Sequence, residues 1–416
     1  MTAQIKLKHS GGNGVIIEAP ASNPASDKTI ALPSTESGVF ATKDSANSLQ
    51  NVTGINGGQL GNRNLIINGA MQVAERASSA IGTGYKTIDR FGSIGAGSQG
   101  VTQSQDTDVP TGQGFSKSLK YDCTTANASP NSGDYLSIRY KIEAQDLQQI
   151  ANGTSNAKKV TISFWVKSPK TGNHALGIYK DDNTQRQNTK TYSVSAANTW
   201  EKKTITYDGD TSGGGIDNNN GAGFFIDWHL LSGSDYTAVD STSWINYAAN
   251  NWAYGHAVNV LDNTANNFYI TGVQLEIGDT ATDFEHKSFA QQLDLCRRYF
   301  YRIGNGSNQY QIVGNGFVGE NGSTRCAKIA IHPLVSMRTT PSLSVIGTDS
   351  FRATSGATNM DTTVLANAGG IWGAASTGDI MWVDFGQSGG STLTLGGGVV
   401  VYANANYANL ALDAEL

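Results

Sequence analysis

The chain has 416 residues, of which 15% are charged and 49 are glycine, and its formal net charge is −5. Globular proteins average about 25% charged residues and about 7% glycine, so this composition indicates an all-β protein with many tight turns and an uncharged polar surface. The acidic balance without a Lys/Arg cluster argues against nucleic-acid binding, and the lack of about 18 consecutive apolar residues argues against membrane insertion.

Residues 1–61 do not have the composition of a compact domain. Short β-type runs at 14–17 and 29–32 are separated by Gly, Pro and Ser, and the segment has no apolar signal core. Runs this short bury too little surface to fold within one chain, whereas three chains wound together share their apolar faces. We therefore expect an extended β stem in a homotrimer, with a flexible leader as the alternative.

Residues 62–284 predict a β-sandwich of the jelly-roll type. Strand-like runs recur with turn signals between them, the clearest at 135–140, 160–166, 203–207 and 223–228. The segments 65–67 and 71–74 are expected to pair as a hairpin around Asn68-Gly69, and residues 141–152 to form a short helix. Alternation within its strand assigns Trp165 to the core.

The segment 270–302 predicts a strand, a turn and a helix that joins two β domains. Val273, Leu275 and Ile277 alternate with polar residues, as in a sheet with one buried face. Ser288 and Gln291 have the spacing of a capping box, so we expect a linking helix over 285–304. Its apolar stripe would be Phe289, Leu293, Cys296 and Phe300, its last turns would hold Arg297, Arg298 and Arg302, and Gly304 would end it.

Residues 305–416 repeat the β-type pattern and predict a second, smaller β-sandwich, the candidate receptor-binding tip. Its strand-like runs are 311–313, 327–331, 343–346, 381–385, 399–402 and 410–416. The last run alternates regularly, so we expect it to be tied into a sheet. Trp382 is assigned to the core by the same alternation as Trp165.

Catalytic and metal-binding patterns are weak in this sequence. The six histidines have no partner at ligand spacing, and the three cysteines are too few for a disulfide framework, which suits folding in a reducing cytosol. The acidic residues lie mostly in Gly/Asn-rich loops, where they normally cap turns. Three of them, Asp208, Asp210 and Asp217, are candidate oxygen ligands for a structural Ca²⁺ ion, although their loop is not an EF-hand loop, and solvated turn residues are the alternative.

Aromatic residues in polar loops point more clearly to a ligand. Sugars present apolar C–H faces beside their hydroxyls, so exposed rings flanked by Asn, Asp and Gln make a carbohydrate-binding surface; core packing is the alternative for each ring. The candidate carbohydrate-binding residues are Trp244, Trp252 and Tyr254 in the first domain and Tyr310, Trp372, Tyr402 and Tyr407 in the second.

Several blocks of the sequence resemble bacteriophage tail-fibre and receptor-binding proteins that contain a carbohydrate-binding-like jelly-roll domain. They occur in the order of that family over nearly the whole chain. The blocks are 10–15, 19–21, 29–33, 64–69, Arg76, 89–91, 163–167, 199–201, 270–278, 283–285, 296–300, 337–341 and 413–416. Ala77 departs from the pattern, because the family often has glycine after the position of Arg76.

The resemblance implies a virion tail-fibre subunit that is made in the host bacterial cytoplasm. It implies a homotrimer that attaches to other tail or baseplate proteins through its N-terminus and binds a host surface glycan or protein distally. It carries over no catalytic residue, so we expect no enzyme. Two alternatives stay open: a tailspike depolymerase that cuts glycans with Asp/Glu pairs, and a purely structural baseplate or collar spike.

Overall fold

The computed structural model describes residues 62–304 without a gap. Beyond them it describes 311–321, 324–347, 350–356, 358–364, 377–386, 393–404 and 409–416. Of residues 1–61 it describes four strands: β1 (Gln4–Lys8), β2 (Gly14–Glu18), β3 (Thr42–Lys43) and β4 (Leu49–Gln50). They belong to a separate unit, Met1–Thr53. The pairs β1/β2 and β3/β4 are antiparallel. The predicted strand at 14–17 is confirmed, and the run at 29–32 lies outside the described residues.

Residues 62–304 form two six-stranded antiparallel sheets. Sheet I contains, in spatial order, β13 (Glu201–Tyr207), β10 (Val160–Lys167), β16 (Asn267–Ile277), β8 (Ser118–Thr125), β7 (Gly100–Asp106) and β5 (Ser79–Ile81). Sheet II contains β15 (Ile245–Asn246), β12 (Arg186–Val194), β11 (Gly172–Lys180), β14 (Ala222–Ser232), β9 (Tyr135–Glu143) and β6 (Phe91–Ala96). The chain crosses repeatedly between the sheets, so the predicted all-β sandwich is confirmed.

One hydrophobic core lies between the two sheets. Alternate residues of each strand supply it, for example Ile162, Phe164 and Val166 of β10. Trp165 therefore lies on the outer face of sheet I and is partly exposed, so its assignment to the core was wrong. Trp165 is apolar, but it stands between the core residues Phe164 and Val166. Successive side chains point to opposite faces of a sheet, so Trp165 faces outward.

Strand β16 is buried on both faces, which differs from the predicted single buried face. Gln274 and Glu276 alternate with the core residues yet are almost fully buried. Gln274 Nε2 donates to Glu276 Oε1 (2.8 Å), and Glu276 also accepts from the backbone N–H of Thr282 (2.8 Å). Hydrogen bonding within this covered face stabilises polar side chains that alternation alone assigns to solvent.

The linking helix is shorter than predicted. Helix α1 spans Phe289–Arg297, and its Ser288/Gln291 capping box is confirmed. The chain then enters strand β17 (Phe300–Ile303), so Phe300 and Arg302 are not helical and Gly304 does not end the helix. The predicted stripe was wrong at Phe289, which is 56% exposed, and is confirmed at Cys296, which the helix buries together with Gln292. Short 3₁₀ helices occur at Ala144–Ile150, which confirms a helical turn near 141–152, and at Ser234–Tyr236 and Ala249–Asn251.

The distal region is a closed barrel rather than the predicted second sandwich. Among its described residues, the barrel runs in the order β18 (Ile312–Asn321), β19 (Thr324–Ile331), β23 (Met381–Gly386), β22 (Thr358–Val364), β21 (Phe351–Ser355) and β24 (Gly398–Ala403). Pairing of β18 with β24 closes it. Trp382 alternates with the core residues Met381 and Val383 and is partly exposed, so it is not a core residue.

A three-stranded sheet connects the barrel region to the sandwich. The strand β25 (Asn409–Asp413) lies between β17 and β20 (Ser342–Ile346), so the prediction that 410–416 is tied into a sheet is confirmed. None of the helices in the described residues is long and apolar enough to cross a membrane.

Several of the blocks that carry the family resemblance, namely those at 64–69, Arg76, 89–91, 283–285, 296–300, 337–341 and 413–416, contact one another at this connection, which we call the junction. Arg90 is fully buried, pairs with Glu415, and lies 3.4 Å from the ring centre of Tyr299. Arg76 donates to Asp413 (2.6 Å). The other junction residues are Asn64, Asn68, Asp89, Glu143, Glu285, Gln292, Arg298, Phe300 and Arg338. These blocks therefore hold the sandwich and the barrel region together and have a structural role.

Candidate functional site

The outer face of sheet II brings charged and aromatic side chains together on adjacent strands. In the register of β9 and β14, Arg139 lies opposite Asp227, and in that of β11 and β14, Tyr179 lies opposite Phe225. Their sequence neighbours Tyr140, Ile226 and Ile178 point into the core. The period of two along a strand therefore places all four side chains on the outer face.

The segment that follows β14 crosses this face and adds two more rings. Trp252 Nε1 donates to Asp227 Oδ2 (2.8 Å), and the Trp252 carbonyl accepts from Thr189 Oγ1 (3.0 Å). Gly177 lies beneath, and a Cβ there would be 3.4 Å from that carbonyl and 2.6 Å from Gln187 Nε2. Tyr247 is fixed through its backbone N–H, which donates to the carbonyl of Gln185 (3.0 Å).

These residues enclose an open cleft of ≈ 150 Å³, the sheet II cleft, lined by Arg139, Tyr179, Phe225, Tyr247 and Trp252. The Tyr179 and Tyr247 rings meet edge to face at 4.9 Å, and Tyr179 lies 5.2 Å from Phe225. The Arg139 guanidinium lies over Phe225 at 4.8 Å. Tyr247 is 38% exposed, so one aromatic ring of the cleft is available to a ligand from solvent.

The charges in the cleft balance each other. Arg139 donates from Nε and Nη2 to the two oxygens of Asp227, both at 2.7 Å. Burial alone would raise the pKa of Asp227, but the charge and hydrogen bonds of Arg139 outweigh burial and lower it. Burial raises the pKa values of Tyr179 and Tyr247, so both phenols stay neutral at physiological pH. The cleft thus presents aromatic faces and neutral hydroxyls beside a fixed ion pair.

The structure places the predicted aromatic residues in different environments. Trp252 lines the cleft but is only 5% exposed. Trp244 packs on the core and donates from Nε1 to the Asp208 carbonyl (2.6 Å). Tyr254 is half-buried and does not line the cleft. Tyr402 lies on the barrel, where its hydroxyl accepts from Thr354 (3.2 Å). The remaining three, Tyr310, Trp372 and Tyr407, lie outside the described residues.

Sequence reasoning missed Arg139, Tyr179, Phe225 and Tyr247. The signal for Arg139 and Phe225 was present, since each stands between two core residues of a predicted strand. A polar or aromatic residue at such a position faces outward on the sheet. Which outward residues lie side by side depends on the strand order β11-β14-β9, and the sequence pattern does not contain that order.

The three predicted calcium ligands do not form a metal site. Asp210 is buried and pairs with Arg186 Nε (2.6 Å), whereas Asp208 is exposed and pairs with Lys159 (3.2 Å). Asp217 is exposed near Asn183. In the described part of the chain, no group of three or more His, Cys, Asp or Glu side chains could hold a metal ion. The positive partners of Asp210 and Asp208 come from other parts of the sequence, which loop spacing does not reveal.

Three histidines of the sandwich, His174, His229 and His256, are buried. His256 is 5.9 Å from His174 and 6.1 Å from His229 between ring centres. Burial lowers the pKa of His174 and of His229 to about 4, and lowers that of His256 well below its ordinary value. All three rings are therefore neutral in the folded protein at neutral pH.

We expect the free energy of unfolding to fall as the pH decreases from about 6.5 to about 4. In this window the unfolded chain takes up protons on these histidines and the folded chain does not, so acid favours unfolding. Asp89 has the opposite effect on the free energy of unfolding. Burial raises its pKa to about 7, so acid favours the folded state at this one group, against three histidines that favour unfolding. Urea unfolding at pH 7 and pH 4.5 measures the effect. The variant His174→Phe should show a smaller difference between the two, and an unchanged difference would contradict this assignment.

No family model matches the chain, and no curated protein matches it. Among solved structures, the chain is similar to the enzymatically active domain of tailspike protein 4 of bacteriophage CBA120, with 14% identity, a TM-score of 0.27, and coverage of 51% of this chain and 21% of that chain. The chain thus spans about a fifth of the length of that solved domain. It is also similar to the family 11 carbohydrate-binding module of Clostridium thermocellum Lic26A-Cel5E, with 11% identity, a TM-score of 0.27, and coverage of 49% and 96%.

Proposed function

We propose that this chain is a phage tail-fibre subunit that binds a saccharide of the bacterial envelope in the sheet II cleft. The observation that carries the binding proposal is the cleft itself, in which aromatic rings surround a guanidinium whose charge Asp227 already balances. Small-molecule sites typically combine apolar walls with a few fixed polar groups. The sheet II cleft has both.

The chemistry of the cleft favours a neutral sugar. A pyranose ring stacks its C–H face on an aromatic ring, and Tyr247 is the most exposed ring of the cleft. Within the described residues, Arg139 uses Nε and Nη2 to hold Asp227, which leaves Nη1 to donate to sugar hydroxyls. Because the ion pair is internally balanced, an anionic ligand gains little there.

The same contacts favour binding over hydrolysis at this cleft. Glycoside cleavage requires two carboxyl groups, one of which donates or accepts a proton at the scissile bond. Asp227 accepts from Arg139 through both oxygens and from Trp252 through Oδ2, and its lowered pKa keeps it ionised. We therefore expect an envelope polysaccharide to keep its length when it is incubated with the protein. New reducing ends would favour the depolymerase.

The virion role rests on the sequence blocks shared with tail-fibre proteins, and with it we propose a homotrimer. Three apolar side chains on neighbouring strands of the barrel exterior are exposed, namely Ile312 (71%), Phe317 (44%) and Val400 (38%). We propose that these side chains take part in a subunit contact, because contiguous exposed apolar surface commonly marks such contacts. A trimer also multiplies weak sugar affinity through avidity. Light scattering should give three times the mass of one chain, and a monodisperse monomer would contradict the trimer.

We expect Tyr247→Ala to weaken saccharide binding by at least about tenfold, which corresponds to about 1.4 kcal/mol. The substitution removes the most exposed ring of the cleft. A glycan array of bacterial envelope saccharides identifies the ligand, and titration of the best one compares the variants.

The matched control is Tyr254→Ala, which removes a half-buried tyrosine of the same segment that does not line the cleft. It should bind like the unchanged protein. Equal losses in both variants would indicate general damage to the segment. Full binding by Tyr247→Ala would exclude the sheet II cleft as the site.

A further inference from the structure

A second cleft, of ≈ 230 Å³, lies on the outer face of sheet I. The two sheets share one core between them, so this sheet I cleft is on the opposite side of the sandwich from the sheet II cleft. Its lining includes Phe115, Trp165, Lys202, Gly272, Asp283 and His286. None of these residues belongs to the sheet II cleft.

A β-bulge and a glycine build the floor of the sheet I cleft. The register between β10 and β16 shifts between Ser163 and Trp165. Gly272, in the facing part of β16, has a φ of 62°, and a Cβ there would lie 2.6 Å from the Phe115 ring. Only glycine combines this backbone conformation with so close an approach. Bulges often re-aim side chains beside functional sites, and this one accompanies the outward position of Trp165.

The walls of the cleft are aromatic. The rings of Phe115, Phe284 and His286 contact one another with centre distances of 5.0, 5.4 and 4.9 Å. Trp165 lines the same cleft from β10 and is partly exposed. The face of a partly exposed indole is a platform on which the C–H side of a sugar ring can stack.

A hydrogen-bond donor and a hydrogen-bond acceptor lie beside these rings. Lys202 pairs in register with Trp165 and is exposed. In the described part of the chain Lys202 has no ion pair, whereas the next residue, Lys203, donates to Glu201 (2.5 Å). Asp283 is exposed and also has no ion pair among the described residues. The cleft thus offers an ammonium donor and a carboxylate acceptor to the hydroxyls of one ligand.

We propose that the sheet I cleft is a second saccharide site, with Trp165 as the stacking surface and Lys202 and Asp283 as hydroxyl partners. Each chain then has two saccharide sites on opposite faces of one sandwich. A polysaccharide with repeated units engages both kinds of site, which raises avidity without a new contact at either. This second site does not depend on the sheet II cleft being occupied.

The two clefts are tested separately with 5-fluorotryptophan, because each contains one tryptophan. The intact protein is titrated with methyl glycosides of glucose, galactose, mannose, rhamnose and N-acetylglucosamine, and ¹⁹F resonances are assigned by Trp→Phe variants. We expect at least one glycoside to shift the Trp165 resonance saturably. The shift should persist in Tyr247→Ala. In Lys202→Ala the affinity derived from the titration should fall at least about tenfold, and Lys203→Ala is the matched control.

Each outcome decides between the sites. A Trp252 shift without a Trp165 shift would overturn the second site and leave the proposed function standing. A Trp165 shift without a Trp252 shift would support the second site and remove the first. A Trp165 response that disappears in Tyr247→Ala would contradict independent sites, and equal responses in Lys202→Ala and Lys203→Ala would contradict the role of Lys202. If no glycoside moves either resonance, both assignments fail.

Discussion

Glu415→Ala is expected to lower the free energy of unfolding by about 3–5 kcal/mol, the cost of leaving one charge of a buried pair without its partner. Arg90 is fully buried and pairs with Glu415 in the junction. Arg90 also contacts the carbonyl of Lys141, which accepts from Nη2 (2.6 Å), and the rings of Tyr299 and Tyr140. None of these three groups carries a negative charge at neutral pH. Arg90 also has a φ of 75°, a conformation that non-glycine residues rarely adopt and that this packing must hold.

Urea and thermal unfolding of the intact protein measure the loss. The matched control is Lys159→Ala, which removes a cation whose partner Asp208 is exposed, and it should change stability by no more than about 1 kcal/mol. Equal effects of the two substitutions would contradict the structural role assigned to the junction.

Gly69→Ala is expected to destabilise the protein by about 3 kcal/mol or more, at or above the usual range for overpacking. A Cβ at Gly69 would lie 2.0 Å from the carbonyl oxygen of Val273. The overlapped atom belongs to the backbone of Val273 in β16. The backbone N–H of Val273 donates to the Gly69 carbonyl (2.9 Å). Neither side can move without breaking this contact between the 64–69 segment and sheet I.

The control for Gly69 is Gly133→Ala in the same sandwich. There the nearest atom to an added Cβ is the Asp235 carboxylate at 3.6 Å, an ordinary contact. We expect a change of less than about 1 kcal/mol, as for most surface substitutions. A melting temperature that is unchanged in Gly69→Ala would show that Gly69 does not pack directly against the backbone of Val273.

The sequence predicted the four clearest strands of the sandwich, because alternation along a strand is a local property. The hairpin expected from 65–67 and 71–74 was wrong, since neither segment forms a strand. It also indicated the junction indirectly. The blocks around Asn68, Arg90 and Glu415 resemble one family. In the structure these blocks contact one another at the junction, although Arg90 and Glu415 are more than 300 positions apart in the sequence. Which of them form pairs was not predictable, because pairing depends on how the sandwich and the barrel region pack against each other.

The candidate site was predicted only in part. Trp252 was singled out for its polar surroundings, and it does line the sheet II cleft. Arg139 and Tyr179 come from strands that are close in the sheet but distant in sequence. The barrel was missed for the same reason: closure depends on pairing β18 with β24, about 85 residues apart, and no turn signal encodes it.

The most direct test of saccharide binding in the sheet II cleft is a crystal structure of the protein with the saccharide that binds best on the array. We expect a pyranose ring stacked on Tyr247, with a hydroxyl within hydrogen-bonding distance of Arg139 and the glycan chain intact. A saccharide that lies only on the distal barrel, or one found cleaved, would contradict the proposed function.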